Sequence, residues 1–194
     1  NQAAEKVEVS VKDIGYIVAT GVGMEYITFA NQKVLESLCL AKGIDFVLPS
    51  TRTLLDLGAR KSLVLSCQGG KAIKMATSGR CAAGSGAFLE AAVNILRVNI
   101  HEMDELYFKA NKNLEIQSTC AIFAESDIIS LVHGGAKPED ILRGVFRGVA
   151  GRIYSQLLEL GLEKDVAVTG GAAKSKAMVA ALEEKVGFKI LVPE

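Results

Sequence analysis

Residues 53–76 read TLLDLGARKSLVLSCQGGKAIKMA and contain three short runs of apolar residues. The strand candidates in this stretch are Thr53–Leu57, Leu63–Cys67 and Ala72–Ala76. Glycines separate the runs, at Gly58 and at Gly69-Gly70, and glycine is typical of tight turns. Because the connections are short, the stretch predicts an antiparallel meander of three strands.

The residues before the meander predict one strand and one helix. Gly15–Thr20 is a short β-branched run that leads into the glycine turn Gly21-Val22-Gly23. Asn31–Lys42 has apolar residues at helical spacing, and we expect Gly43 to end this helix.

The residues after the meander predict four helices and a C-terminal strand–turn–helix unit. The candidates are helices beginning near Gly84, at His101, at Ala121 and at Pro138, strand Asp165–Thr169, helix Ala172–Val186 and strand Phe188–Val192. The patterns predict an α/β protein with three parts. These are a strand-rich lobe of approximately residues 1–80, a helical part of approximately 81–163 and a strand–turn–helix unit of approximately 164–194.

Composition argues against two classes of function. The chain has 22 basic and 22 acidic residues, whereas binding to nucleic acid by neutralising phosphates needs a basic surplus. No run of about twenty apolar residues is present, and the first residues lack a signal peptide's apolar stretch. We therefore expect a cytoplasmic protein with no nucleic-acid or membrane partner. Its four cysteines are then thiols, metal ligands or core residues rather than disulfides.

The strongest local motif is residues 79–89, GRCAAGSGAFL. Glycines precede a predicted helix, so backbone N–H groups and the helix dipole converge on a point that suits an anion. That anion is a nucleotide phosphate or a thiolate-ligated cluster, and the same field favours the thiolate form of Cys81. A buried cysteine before a glycine turn explains this stretch equally well.

A second cysteine, Cys120, follows Ser118-Thr119 at the start of a predicted helix. By itself this position is more typical of a core residue, but two cysteines at helix starts strengthen the metal hypothesis. Two thiolates are too few for a cluster held by four cysteines. The others would come from Cys39 and Cys67, or from a second copy of the chain.

Two glycine turns complete the candidate motifs. Asp56-Leu57-Gly58-Ala59 places a carboxylate at a strand end, where it could hold Mg²⁺ or a water molecule near a phosphate. Thr169-Gly170-Gly171-Ala172 would let the backbone lie close to a flat ring or a ribose. Ordinary turn chemistry explains either turn alone at least as well.

In this order the motifs resemble the ATP-dependent activators (BadF/BadG/BcrA/BcrD-type ATPases) of 2-hydroxyacyl-CoA dehydratases and benzoyl-CoA reductases. The resemblance covers nearly the whole chain, and CAAGSG together with STC…FAES is its most specific part. The stretches that carry it are residues 19–23, 37–43, 56–58, 81–86, 118–120, 123–126 and 169–171.

The resemblance implies an actin/hexokinase/Hsp70-like ATPase fold, built as a homodimer around one shared [4Fe-4S] cluster. Cys81 and Cys120 of each subunit would be the cluster ligands, which leaves Cys39 and Cys67 to the core. ATP binding with Mg²⁺ would drive one electron from a ferredoxin or flavodoxin to the partner dehydratase or reductase. Asp56 is the candidate catalytic residue. The part of approximately residues 81–163 would bind the cluster, and the unit of approximately 164–194 would bind the adenosine. The candidate nucleotide-binding residues are Gly58, Gly84, Ser85, Gly86, Gly170, Gly171 and Ala172.

The chain departs from the family in two places. Nothing like the family's first phosphate loop precedes Gly15, so we expect a chain that lacks the first phosphate-loop strand and the last helix. The second loop usually reads Asp-Ile-Gly-Gly-Gln-Asp, but here Gly58 is followed by Ala59-Arg60-Lys61. ATP hydrolysis is therefore open. The alternative hypotheses are a degenerate cluster-carrying scaffold subunit and a cluster-free, kinase-like ATPase.

Overall fold

The computed structural model describes residues 6–78, 84–117 and 120–193. Its helices are α1 (Glu36–Val47), α2 (Gly86–Leu96), α3 (Met103–Lys109), α4 (Ala121–His133), α5 (Pro138–Leu160) and α6 (Lys176–Val186). Its strands are β1 (Val18–Ala19), β2 (Gln32–Lys33), β3 (Thr53–Leu57), β4 (Ser62–Gln68), β5 (Lys71–Thr77) and β6 (Val166–Thr169). Within those ranges no helix combines the length and the apolarity that a bilayer crossing requires.

The main sheet has the strand order β5-β4-β3-β6. The pairs β3–β4 and β4–β5 are antiparallel, which confirms the predicted meander. Gly69 and Gly70 both have positive φ, which suits the two-residue turn between β4 and β5. β6 lies parallel to β3, and the register pairs Asp56 with Thr169. The carboxyl ends of these two strands therefore meet at one edge of the sheet.

Both faces of the sheet are covered, so its central strands are mostly apolar on both faces. Leu55 and Leu57 of β3 point into the larger core with α2, α4, α5 and α6. Leu54 points the other way, into a smaller core with Ala41 and Ile44 of α1. Because side chains alternate along a strand, Asp56 shares the face that α1 covers.

Helix α1 differs from the predicted helix Asn31–Lys42 at both ends. The backbone N–H groups of Asn31 and Val34 bond to the carbonyl oxygens of Ile17 and Ala19 at 2.9 Å each, which keeps residues 31–34 extended beside β1. Gly43 lies inside the helix, and α1 continues to Val47. Pro49 disfavours a helical conformation at the residue before it, so the helix ends there.

The predicted elements near both ends of the chain are shorter than expected. The first strand covers only Val18–Ala19 of the expected Gly15–Thr20. The expected strand 188–192 forms one bridge, in which Leu191 bonds to the backbone of Val166 and Val168. The expected helix 172–186 begins at Lys176, after a 3-10 turn at Gly171–Lys174, because the Ser175 hydroxyl caps the Met178 N–H at 3.1 Å.

Two helical glycines provide a test of this packing. Gly43 is exposed, and a Cβ built there meets nothing within 4 Å. We expect Gly43→Ala to raise the free energy of unfolding by about 0.5–1 kcal/mol, because alanine is the better helix former. At Gly144 of α5 a Cβ would lie 2.6 Å from the Leu114 carbonyl oxygen. Gly144→Ala should therefore lower the free energy of unfolding by about 1–3 kcal/mol.

Denaturant unfolding of the two variants beside the wild type measures both effects. Opposite signs are expected although the amino-acid change is the same. Equal effects at the two positions would contradict the close approach of α5 to Leu114.

Candidate functional site

Asp56 and Thr169 lie side by side where β3 and β6 end. The Thr169 hydroxyl donates a hydrogen bond to Asp56 Oδ1 at 2.9 Å, which fixes the orientation of the carboxylate. Burial raises the pKa of the half-buried Asp56 carboxyl, and the hydrogen bond from Thr169 lowers it in part. A cavity of about 450 Å³ lies on the Thr169 side of the pair and is lined by Gly21, Glu36 and Thr169 among others. A cavity of this volume is large enough for a small ligand.

A second carboxylate, Glu36, belongs to the same site. It is the first residue of α1 and forms an ion pair with Lys61, in the turn between β3 and β4. Both charges act on Asp56, since Glu36 raises the pKa of Asp56 and Lys61 lowers it. Our sequence analysis missed Glu36 as a site residue. Its one signal is an acidic residue at the start of a helix, and the linear sequence does not show that α1 covers the Asp56 face.

The two glycines of the β6 turn have different surroundings. Gly170 has a φ of +88°, and a Cβ there would lie 2.5 Å from the Leu57 carbonyl oxygen. Any side chain at 170 would therefore collide with β3 rather than enter the cavity. At Gly171 a Cβ would meet nothing within 4 Å, and the next residue, Ala172, is partly buried against the core. Of the two glycines, Gly171 is therefore the one that faces open space.

The start of α2 is bonded to the turn that follows Asp56. The Gly58 and Ala59 carbonyl oxygens accept hydrogen bonds from the N–H groups of Gly86 and Ala87, at 3.0 and 2.7 Å. The Gly58 N–H in turn donates to the Lys61 carbonyl oxygen at 3.0 Å. The Gly86 amide, expected to face an anion, is thus engaged by Gly58. Nucleotide binding by the Gly84-Ser85-Gly86 stretch stays a prediction.

The cysteines occupy different environments. Cys81 lies outside the described residues, whereas Cys120 is half-buried at the N-cap of α4. Cys67 is buried in the smaller core, and burial raises the pKa of its thiol, which disfavours a thiolate ligand. Cys39 is half-buried on α1, beside the same cavity as Glu36, rather than in the core as predicted. Among the described residues, no three histidine, cysteine or acidic side chains form a metal-binding group.

Helix α4 exposes apolar side chains directly after Cys120. Ile122 is 70% exposed and Phe123 is 62% exposed, although both are large and apolar. Ile129 and Val132 are also exposed further along the helix. The surface around Cys120 is therefore more apolar than is usual for a solvent-facing helix.

Comparison with known proteins identifies one ATPase family. The model of the BadF/BadG/BcrA/BcrD ATPase family matches residues 1–193. The activator of lactoyl-CoA dehydratase from Anaerotignum propionicum is 41% identical over 174 residues, which cover 88% of this chain and 66% of that protein.

Two solved structures are closely similar. The first is component A of (R)-2-hydroxyglutaryl-CoA dehydratase from Acidaminococcus fermentans, with a TM-score of 0.93 and 34% identity, covering 97% of this chain and 73% of that one. The second is the 2-hydroxyisocaproyl-CoA dehydratase activator from Clostridium difficile with bound ADPNP. Its TM-score is 0.93 at 32% identity, covering 100% of this chain and 72% of that one.

The family match spans nearly the whole chain, and the structural overlap extends through both faces of the sheet. The fold is therefore the actin/hexokinase-like ATPase fold, and the chain belongs to the BadF/BadG/BcrA/BcrD ATPase family.

Proposed function

We propose that this chain binds ATP or ADP with Mg²⁺ in the cavity at the ends of β3 and β6. The observation that carries the proposal is the hydrogen-bonded pair Asp56–Thr169 at adjacent strand ends, beside the open backbone of Gly171. A relative of the same fold holds an ATP analogue. Together with a bound iron–sulfur cluster as the electron carrier, nucleotide binding would make the chain an ATP-dependent one-electron activator of a 2-hydroxyacyl-CoA dehydratase or benzoyl-CoA reductase-type enzyme.

The residues of the cavity suit a nucleotide and its cation. Asp56 and Glu36 offer carboxylate oxygens, which Mg²⁺ prefers as ligands. Asp56, held by Thr169, is the group that would orient the metal or a water molecule near the phosphates. Gly171 leaves room for the flat adenosine group, and Gly58 holds the turn next to the phosphates.

We further propose that Cys120 and Cys81, with the same two residues of a second copy, hold one [4Fe-4S] cluster. The N-cap position of Cys120 supports this, because an anionic cluster is favoured by the positive end of a helix dipole. The exposed Ile122 and Phe123 support a homodimer, since a second copy would cover them. The cluster would supply the one-electron carrier between a ferredoxin or flavodoxin donor and the partner enzyme.

The hydrogen bonds between the β3–β4 turn and α2 support coupling between the two sites. A shift of Gly58 and Ala59 on nucleotide binding would pull on the first amides of α2. Cys81 precedes that helix in the chain by five residues. Linkage then requires that the nucleotide changes the free energy of cluster reduction by the same amount as cluster reduction changes the free energy of nucleotide binding. This coupling is typically about 1–3 kcal/mol.

A second candidate function rests on one specific observation. Lys61, paired with Glu36, places a positive charge beside the cavity, where it would oppose a metal ion bound by that carboxylate. A subunit that carries the cluster and binds nucleotide without hydrolysing it fits this arrangement. Phosphate release from ATP by the reconstituted protein would distinguish the two functions.

The nucleotide proposal predicts the effect of a side chain at residue 171. We expect Gly171→Val to weaken ADP binding by about tenfold or more, a loss of about 1.4 kcal/mol, because the new side chain occupies open space at the site. Calorimetric titration with ADP and Mg²⁺ measures the affinity.

The matched control is Gly15→Val, since a Cβ at Gly15 also meets nothing within 4 Å and Gly15 lies outside the β6 turn. Gly170→Val is unsuitable because it would collide with Leu57 and disturb the fold. A folded Gly171→Val protein with wild-type affinity for ADP would contradict the proposed site.

The cluster proposal predicts which thiols hold iron. After anaerobic reconstitution we expect about two iron atoms per chain, as one [4Fe-4S] cluster per two chains requires. Replacing Cys81 or Cys120 by serine should remove the iron and the visible absorbance, and should lower the fraction of dimeric protein. Cys39→Ser is the control and should keep all three. Unchanged iron in both the Cys81→Ser and Cys120→Ser proteins would refute the assignment.

A further inference from the structure

Lys61 and Glu36 form an ion pair inside the candidate site. Their side chains are 36% and 32% exposed, so most of the pair is shielded from solvent. Both residues line a second cavity of about 260 Å³, together with Gly21, which also lines the larger one. The ammonium group therefore lies in the region where a phosphate and its cation would bind.

Several hydrogen bonds hold Lys61 in this position. Its carbonyl oxygen accepts the Gly58 N–H, which closes the β3–β4 turn. The first amides of α2 hold Gly58 and Ala59 from the other side. An exposed ion pair on two mobile side chains contributes little, because ordering them costs entropy. Here the turn and the start of α1 fix both backbones before the pair forms.

The positive charge of Lys61 acts on both carboxylates of the site, Glu36 and Asp56. It pairs directly with Glu36, and it opposes the rise in the pKa of Asp56 that burial and Glu36 cause. Two carboxylates at a nucleotide site are normally neutralised by a divalent cation with oxygen ligands. In this chain an ammonium group is already present and repels such a cation.

We propose that Lys61 supplies part of the positive charge at Glu36 and Asp56, so that these carboxylates hold a divalent metal more weakly than they would without it, and nucleotide binding depends less on Mg²⁺. The proposal rests on the nucleotide function proposed above. A lysine ammonium is also a good point-charge partner for phosphate oxygens. When nucleotide enters, the Lys61 ammonium would contact a phosphate oxygen while it stays beside Glu36.

The first test uses the metal alone, without nucleotide. Electron paramagnetic resonance measures Mn²⁺ binding to the whole chain and to its Lys61→Gln variant. We expect Lys61→Gln to bind Mn²⁺ about tenfold more tightly, because one repelling charge is removed from the carboxylate pair. Arg60→Gln is the matched control, since Arg60 carries the same charge in the same turn but is exposed. It should change the affinity by less than about twofold.

A double variant tests whether the tighter Mn²⁺ binding of Lys61→Gln depends on the Glu36 carboxylate. Adding Glu36→Gln to Lys61→Gln should abolish the tighter Mn²⁺ binding, because the partner of the lost ammonium is gone. Thermal melting followed by circular dichroism verifies that each variant is folded. Equal Mn²⁺ affinity in the wild type and in folded Lys61→Gln would overturn the proposal.

The second test compares ADP binding with Mg²⁺ and with a chelator. The wild type should lose less than about threefold in affinity when Mg²⁺ is removed, and Lys61→Gln about tenfold or more. A tenfold loss in the wild type would overturn the role of Lys61 while nucleotide binding stands. If no variant binds ADP, the proposed function fails, and the Mn²⁺ result alone decides whether Lys61 replaces the metal charge.

Discussion

The contact between the Gly170 backbone and Leu57 fixes the geometry on which the candidate site depends. Parallel pairing of β3 and β6 brings the two strand ends so close that a Cβ at 170 would lie 2.5 Å from the Leu57 carbonyl oxygen. Only glycine fits there without strain, since φ is also positive. The same register places Thr169 beside Asp56, so one backbone contact positions both the carboxylate and the open turn at Gly171.

The β3–β4 turn links this edge of the sheet to the rest of the molecule. It carries Lys61 toward Glu36 on one side and bonds to the first amides of α2 on the other. Through these hydrogen bonds the turn is in direct contact with the first residues of α2. The turn therefore provides a physical connection between the proposed nucleotide cavity and the helix that follows Cys81.

Family membership accounts for the fold, whereas the chemistry of the β3–β4 turn bears on metal binding. The family match and the shared fold cover the whole described sheet and its helices. Ala59, Arg60 and Lys61 lie in the β3–β4 turn, and the Lys61 side chain pairs there with a carboxylate. The proposed effect of Lys61 on metal affinity would leave the fold unchanged, since the turn's backbone hydrogen bonds do not involve that side chain.

The sequence by itself determined the antiparallel meander, helices α4 and α5, the fold and the family. The spacing of apolar residues, the glycine turns and the capping residues around Ala121 and Pro138 are local features of the sequence. They can be recognised without knowledge of the tertiary structure. The sequence did not determine where α1 begins and ends, because pairing with β1 and the position of Pro49 override helical spacing. Nor did it reveal the group formed by Asp56, Thr169, Glu36 and Lys61. Those residues come from β3, β6, α1 and a turn, and only the packing of α1 over one face of the sheet decides that their charges meet.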